Sequence, residues 1–212
     1  MAKRSAPEVN AGSMADIAFL LLIFFLVTTD IATDSGLSRK LPPWEPDAEQ
    51  EKVQIKEKNI FALTLNSNNQ ILLTSAGDSE VIAIKDLRAR AFEFLDNGGG
   101  QGEDACKRCK GNRDPKSSDN LKKAVISLAN DRLTDYKTYI TVQNEIIAAY
   151  NDIRNREFKK DYPKLEMNFV EATEMYQDPV TDVKVKESLK EKLEAIKEVV
   201  PQLFSEAEAK RD

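Results

Sequence analysis

Few side chains in this 212-residue sequence are of a type and spacing that could do chemistry. The sequence contains no histidine, which excludes a Ser–His–Asp triad, a Cys–His pair and a histidine-ligated metal site. The carboxylates are scattered, and no two of them are marked out as an acid–base pair. The remaining candidates are Asp16 and the pair Cys106 and Cys109. We predict no catalytic residue, no cofactor and no enzyme activity.

Asp16 is the single charged residue in the stretch 9–29, and residues 17–27 are apolar throughout. A carboxylate inside a bilayer costs about 2.5–3.5 kcal/mol on insertion scales, and protonation relieves much of that cost. No cation on the same segment can pair with Asp16. A lone ionisable group of this kind is commonly a proton carrier. The alternative is that Asp16 marks the end of a shorter apolar run that begins at Ile17.

The apolar stretch is long enough to cross a membrane. Its 21 residues would span roughly 31 Å as a helix, which is the thickness of a hydrocarbon core. We predict a transmembrane helix at 11–31, preceded by a cytoplasmic tail at 1–10 that carries Lys3 and Arg4. A cleaved signal peptide is the main alternative, although no small-x-small cleavage site closes the run. A buried core helix would need a polar face, which the run lacks.

A linker is predicted at 32–58. Its Leu41-Pro42-Pro43-Trp44 stretch cannot be helix or central strand, because proline lacks a backbone donor. Trp44 could sit in a partner groove, or the whole stretch could act as a stiff spacer.

The rest of the sequence predicts a domain of class α+β at 59–200, followed by a polar tail at 201–212. Two β-prone runs joined by turn formers predict a hairpin, and residues at helical spacing predict helices. The predicted order is ββαβαβ with an extra C-terminal helix. The elements are a hairpin of strands 60–65 and 70–74, a helix at 82–95, a strand at 124–129, a helix at 136–157, a strand at 165–172 and a final helix at 183–200.

The stretch 97–120 has no periodicity and is predicted to be a loop insertion that folding does not require. It contains Cys106-Lys-Arg-Cys109. We favour a local disulfide, which fits an oxidising compartment. Two alternatives remain, namely a zinc site shared between two chains and a redox-active pair.

The net charge of −5 counts against nucleic acid as a main partner, because phosphate binding needs a basic surface.

The segment Val9-Asn-Ala-Gly-Ser-Met-Ala-Asp16, with the apolar run to Val27, resembles the transmembrane segment of the ExbD/TolR family of biopolymer transport proteins. The segment Ser127–Thr138 is similar to the strand-to-helix junction of that family's periplasmic domain. The segment Leu37–Pro43 is similar to the Bacteroidota type of the family. The resemblance covers about residues 1–172, and an extra Asn130 departs from the family pattern.

The resemblance implies a subunit that is driven by the proton motive force and sits in the bacterial inner membrane. Two such chains would lie inside a ring of ExbB-type subunits, with Asp16 as the proton acceptor. Their movement would pass through the linker, including Leu41–Trp44, to the periplasmic domains and a TonB-type protein. A TolR-like role in envelope integrity shares every one of these features. A membrane-anchored binding module without proton transfer is the alternative of a different class.

Overall fold

The computed structural model describes residues 11–28 and 55–208, and the chain divides into two compact units, Met1–Glu51 and Lys52–Asp212. In the first unit, helix α1 covers Ala11–Thr28. Its 18 residues correspond to a length of about 27 Å. The side chains from Met14 to Thr28 are all exposed.

Within the described residues, no helix reaches the length and hydropathy expected of a membrane span. The transmembrane helix predicted at 11–31 is therefore not confirmed. Its last three residues, like the tail 1–10, lie outside the described part of the chain.

The second unit is built on one five-stranded mixed sheet with the strand order β3-β2-β1-β4-β5. The three strands β1, β2 and β3 are antiparallel neighbours, whereas β4 lies parallel to β1 and β5 lies parallel to β4. The elements in chain order are β1 (Ile60–Leu65), β2 (Ile71–Ser75), β3 (Asp78–Ile82), α2 (Ile84–Asp96), β4 (Val125–Asn130), α3 (Tyr136–Asp161), α4 (Phe169–Gln177), α5 (Val183–Val199) and β5 (Phe204–Glu208). Short 3₁₀ turns lie at Glu57–Asn59 and Gly102–Asp104.

The alternation of apolar residues in the central strands decides which face of the sheet is buried. Phe61, Leu63 and Leu65 of β1 point to the same side, where Leu63 pairs in register with Leu73 of β2 and Leu128 of β4. Helices α2 and α3 supply the buried side chains that share this core, among them Leu87, Ala91, Phe94, Val142, Ile146, Ala149 and Ile153. A second, smaller core joins the end of α3 to α4 and α5 through Phe158, Phe169, Ala172, Leu189, Leu193 and Ile196.

The mixed α+β class is confirmed, but the predicted order of elements is wrong in three places. The first is the strand predicted at 165–172, where the structure has the start of α4. Asn168 caps this helix by accepting hydrogen bonds from the backbone N–H groups of Val170 (2.9 Å) and Glu171 (3.0 Å). The Glu171 carboxylate accepts the Asn168 N–H at 2.7 Å, which completes a capping box. This local signal outweighs the apparent alternation of residues 165–170.

The other two errors are missed edge strands. The backbone reverses at Ala76 (φ 52°) and Gly77 (φ 89°), and this two-residue turn joins β2 to β3. The end of the chain, predicted to be a polar tail at 201–212, contains β5, which pairs with β4 from Phe204 to Glu208. Both strands are rich in charged residues, as edge strands commonly are.

The insertion at 97–120 is irregular apart from the turn at Gly102–Asp104, as predicted, but it is well packed. Cys109, Ser118 and Asp119 are each no more than 5% exposed. The side-chain amide of Asn97 fixes the path of the insertion by donating hydrogen bonds to the carbonyls of Asp114 and Ser118, both at 2.9 Å. Cys109 belongs to the main core and Cys106 packs against it, so we now expect that removing the insertion would expose part of that core.

Candidate functional site

Asp16 lies about one and a half turns, roughly 8 Å, into helix α1, and its side chain is exposed. It is the single charged residue of α1. Residues three and four positions along a helix share a face, so Phe19 and Leu20 lie beside Asp16 toward the C-terminal end. Among the side chains of α1, none is a cation that could pair with this carboxyl group.

The linker residues that we singled out, Leu41 to Trp44, lie outside the described residues. The description resumes at Ile55, where the chain enters the folded domain. At this entry point several ion pairs and hydrogen bonds tie the chain to the insertion, and sequence reasoning missed them.

Asp119, in the insertion, is the centre of this anchor. Its side chain is 2% exposed and forms ion pairs with Lys58 at 2.5 Å and Lys56 at 3.3 Å. Asn59 donates to the Asp119 carboxylate at 3.0 Å and accepts the Asp119 backbone N–H at 2.7 Å. Burial alone would raise the pKa of Asp119, but the hydrogen bonds from Lys58, Asn59 and Lys56 bring it below its ordinary value.

Asp104 forms the outer part of the same anchor. It accepts hydrogen bonds from Lys123 and, at 3.0 Å, from Lys56. These hydrogen bonds lower the pKa of Asp104 to about 2. The segment that leads from the linker into β1 is thus tied by charge-assisted hydrogen bonds to the insertion, and we call residues Lys56, Lys58, Asn59, Asp104 and Asp119 the entry anchor.

A second charged cluster joins the insertion to α3. Arg156 contacts Asp96 through two hydrogen bonds of 2.6 and 2.7 Å and reaches Glu157 at 3.0 Å. Arg108 donates to Glu157 at 3.0 Å and to Asp161 at 2.8 Å. Glu157 is fully buried and Asp96 is 3% exposed, so these two guanidinium groups are the cations that pair with buried carboxyl groups here. We call these five residues the arginine clamp.

Cys106 and Cys109 form a disulfide within the insertion, with a Cα–Cα distance of 5.5 Å. In this form neither sulfur is a thiolate, so the pair cannot bind zinc. Among the described residues, no three metal-ligating side chains of the His, Cys, Asp or Glu type come together.

Comparison with known proteins identifies a family. A family model described as "Biopolymer transport protein ExbD/TolR" matches residues 2–154. Neither the curated proteins nor the solved structures give a match to the chain. The matched segment includes α1 with Asp16, the stretch predicted to be a linker, the four strands β1 to β4 and most of α3. The chain therefore belongs to the ExbD/TolR family of biopolymer transport proteins.

Proposed function

We propose that this protein is an ExbD-like energy-transducing subunit that works inside an ExbB-type membrane ring and powers TonB-dependent outer-membrane transport. The observation that carries the proposal is Asp16, the single ionisable side chain on an apolar helix within the segment that the family model matches. Proton uptake and release at this carboxyl group would change the charge of the helix and hence its preferred position in the ring. No other part of the proposal requires chemistry from the side chains.

The protein would be a single-pass inner-membrane protein with a cytoplasmic N-terminus. The charge pattern supports this orientation, because Lys3 and Arg4 precede the apolar segment whereas Asp30 and Asp34 follow it. The disulfide supports a periplasmic location for the folded domain. The exposed apolar side chains of α1 are suited to contact with lipid or with apolar ring helices.

The linker would transmit movement to the domain. Two consecutive prolines, Pro42 and Pro43, would stiffen the linker. The entry anchor holds its domain end, so a displacement reaching Lys56 would move the insertion and β1 together. A hinge at this point would dissipate the displacement. The ion pairs of Lys56 and Lys58 with Asp119 would restrict such hinge movement where the chain enters the domain.

We propose that the subunit works as a homodimer. A helix with one membrane carboxyl group and no cation of its own favours a partner that supplies polar groups. The open edges of the sheet at β3 and β5 offer surfaces on which two domains could pair.

A TolR-like role in envelope integrity is the second candidate, since the family match does not distinguish the two branches. The two roles differ in the partner that the domain engages. Loss of TonB-dependent uptake in a deletion strain would favour the ExbD-like role, whereas detergent sensitivity with normal uptake would favour the TolR-like role. An anchored binding module without proton transfer is the third candidate.

The test uses three variants in a strain that depends on TonB-linked uptake for growth. Asp16→Asn should assemble with the ring but abolish uptake, and Asp16→Glu should keep part of it. Asp30→Asn removes the same charge near the end of the apolar segment and should leave uptake unchanged. Full uptake in an assembled Asp16→Asn variant would contradict the proposal and favour the binding module.

A parallel test addresses the linker. Residues 38–46 are replaced by a Gly/Ser segment of equal length, and assembly and uptake are measured separately. We expect assembly without uptake. Normal uptake would show that the linker is only a tether.

A further inference from the structure

The two cysteines of the disulfide differ in accessibility. Cys109 is 5% exposed and belongs to the main core. Cys106 is half-buried and lines a surface pocket of about 430 Å³, whereas Cys109 is not part of the pocket wall. Thiol–disulfide exchange requires an incoming thiolate to reach one of the two sulfur atoms. The cysteine that an incoming thiolate can reach is therefore Cys106.

The pocket around Cys106 is positively charged on a chain whose net charge is negative. Lys107 and Lys122 lie on its wall, and within the described residues neither ammonium group takes part in an ion pair or a hydrogen bond. Glu103 is the one acidic residue of the wall. Apolar groups of Leu121 and Val199 complete the lining. A small thiol that carries carboxylates fits this combination of charge and size.

The reduced form of Cys106 would be stabilised as a thiolate. Its sulfur already accepts the backbone N–H of Cys109 at 3.1 Å. A hydrogen bond to the charged form, together with the nearby lysines, favours the thiolate. Cys109 lies in apolar surroundings, which favour its neutral thiol.

Non-covalent contacts would hold the two cysteines in place after reduction. Arg108, between them in sequence, belongs to the arginine clamp on α3. On the other side, the Gly111 N–H donates to the Asp96 carbonyl at 2.9 Å. Gly98 lies directly against the pair, since an added Cβ there would fall 2.6 Å from the Cβ of Cys109. The sulfur atoms therefore stay near each other, and the bond can form again.

We propose that Cys106–Cys109 is a thiol–disulfide exchange site for a small anionic thiol. The thiolate of the incoming molecule attacks Sγ of Cys106, forming a mixed disulfide. The Cys106–Cys109 bond breaks, and its electron pair leaves on Cys109, which takes a proton from water. A second thiol molecule attacks the incoming sulfur and releases the Cys106 thiolate. Two thiols thus become one disulfide, and the protein gains two electrons and the matching protons.

The test uses the full-length protein in detergent micelles. It is treated with reduced glutathione, an anionic thiol, or with cysteamine, a cationic one, at equal thiolate concentrations. Samples are quenched with iodoacetamide and digested with trypsin, which cuts after Lys107 and Arg108 and so separates the two cysteines. We expect the glutathione adduct on Cys106 to exceed that on Cys109 by about tenfold or more, since only Cys106 faces the pocket.

Two further measurements complete the test. Glutathione should react about tenfold faster than cysteamine, and Lys107→Gln with Lys122→Gln should remove most of that preference. Alkylation of Cys106 in Cys109→Ser should be faster than that of Cys109 in Cys106→Ser. Adducts shared equally between the cysteines, or reduction only after urea unfolding, would overturn the proposal. The outcome does not depend on proton transfer at Asp16.

Discussion

Replacing Arg156 should destabilise the folded domain, because its guanidinium group pairs with the buried carboxylates of Asp96 and Glu157. Arg156→Met keeps the aliphatic part of the side chain and removes the guanidinium group. The Asp96 carboxylate then loses two hydrogen bonds of 2.6 and 2.7 Å. Within the described residues, it still accepts a hydrogen bond from the backbone N–H of Lys110 at 3.2 Å. Glu157, which is fully buried, keeps Arg108 as its one cationic partner among the described residues.

The expected loss follows from the burial of the two carboxylates. Breaking a buried ion pair by removing one partner costs about 3–5 kcal/mol, because an unpaired charge stays behind. Asp96 has side-chain exposure of 4% and Glu157 of 0%, so water cannot replace the lost partner. Since Glu157 retains Arg108, we expect a value near the lower end, about 3 kcal/mol.

Urea unfolding of the full-length protein, followed by far-UV circular dichroism, measures the loss. Arg132→Met is the matched control, because Arg132 is exposed and its side chain takes part in no ion pair or hydrogen bond within the described residues. It should change the free energy of unfolding by less than about 0.5 kcal/mol. Adding Asp96→Asn to Arg156→Met should recover part of the stability by removing the unpaired charge. A loss below about 1 kcal/mol for Arg156→Met would refute the reasoning, since the clamp would then contribute no more than a surface ion pair.

Three further predictions concern the domain. The pKa of Asp104 is lowered to about 2, and that of Asp119 is also lowered. The stability that these two carboxylates contribute should therefore be fully present above about pH 4 and be lost as the pH falls toward 2. Acid titration of the wild type against Asp104→Asn measures this loss. Gly98→Ala should cost more than Gly77→Ala in urea unfolding, because both positions have positive φ but only Gly98 would press a Cβ against Cys109; equal losses would contradict this. Truncation after Val200 removes β5 and should make the domain sensitive to protease, whereas truncation after Glu208 should not; equal resistance would show that β5 contributes little.

The sequence predicted those elements whose apolar residues repeat clearly. Leu63 and Leu65 alternate with smaller or polar neighbours in β1, and Val142, Ile146, Ala149 and Ile153 recur at helical spacing in α3. These patterns arise because one face of each element is buried, so burial and sequence period agree. The strands β3 and β5 lie at the edges of the sheet, where polar residues are tolerated and the period fades.

The candidate site likewise has a part that the sequence indicates locally and a part that depends on contacts between residues distant in sequence. Asp16 stands out in the sequence because a charge inside an apolar run is rare and costly in a membrane, and its role stays a prediction. The entry anchor does not stand out, because Lys56 and Asp119 are 63 residues apart and belong to segments without periodicity. Tertiary contacts between charged side chains leave no local pattern in the sequence. The capping box of Asn168 and Glu171 is a local signal, and giving it weight over the alternation at 165–170 would have predicted α4.

The central claim is that Asp16 carries protons, and proton flux measures this directly. The protein is co-reconstituted with its ring partner in liposomes that enclose a pH-sensitive dye, and a pH step is applied across the membrane. We predict flux well above that of protein-free liposomes for wild type and for Asp30→Asn, reduced flux for Asp16→Glu, and background flux for Asp16→Asn. Wild-type flux through an assembled Asp16→Asn complex would contradict the account.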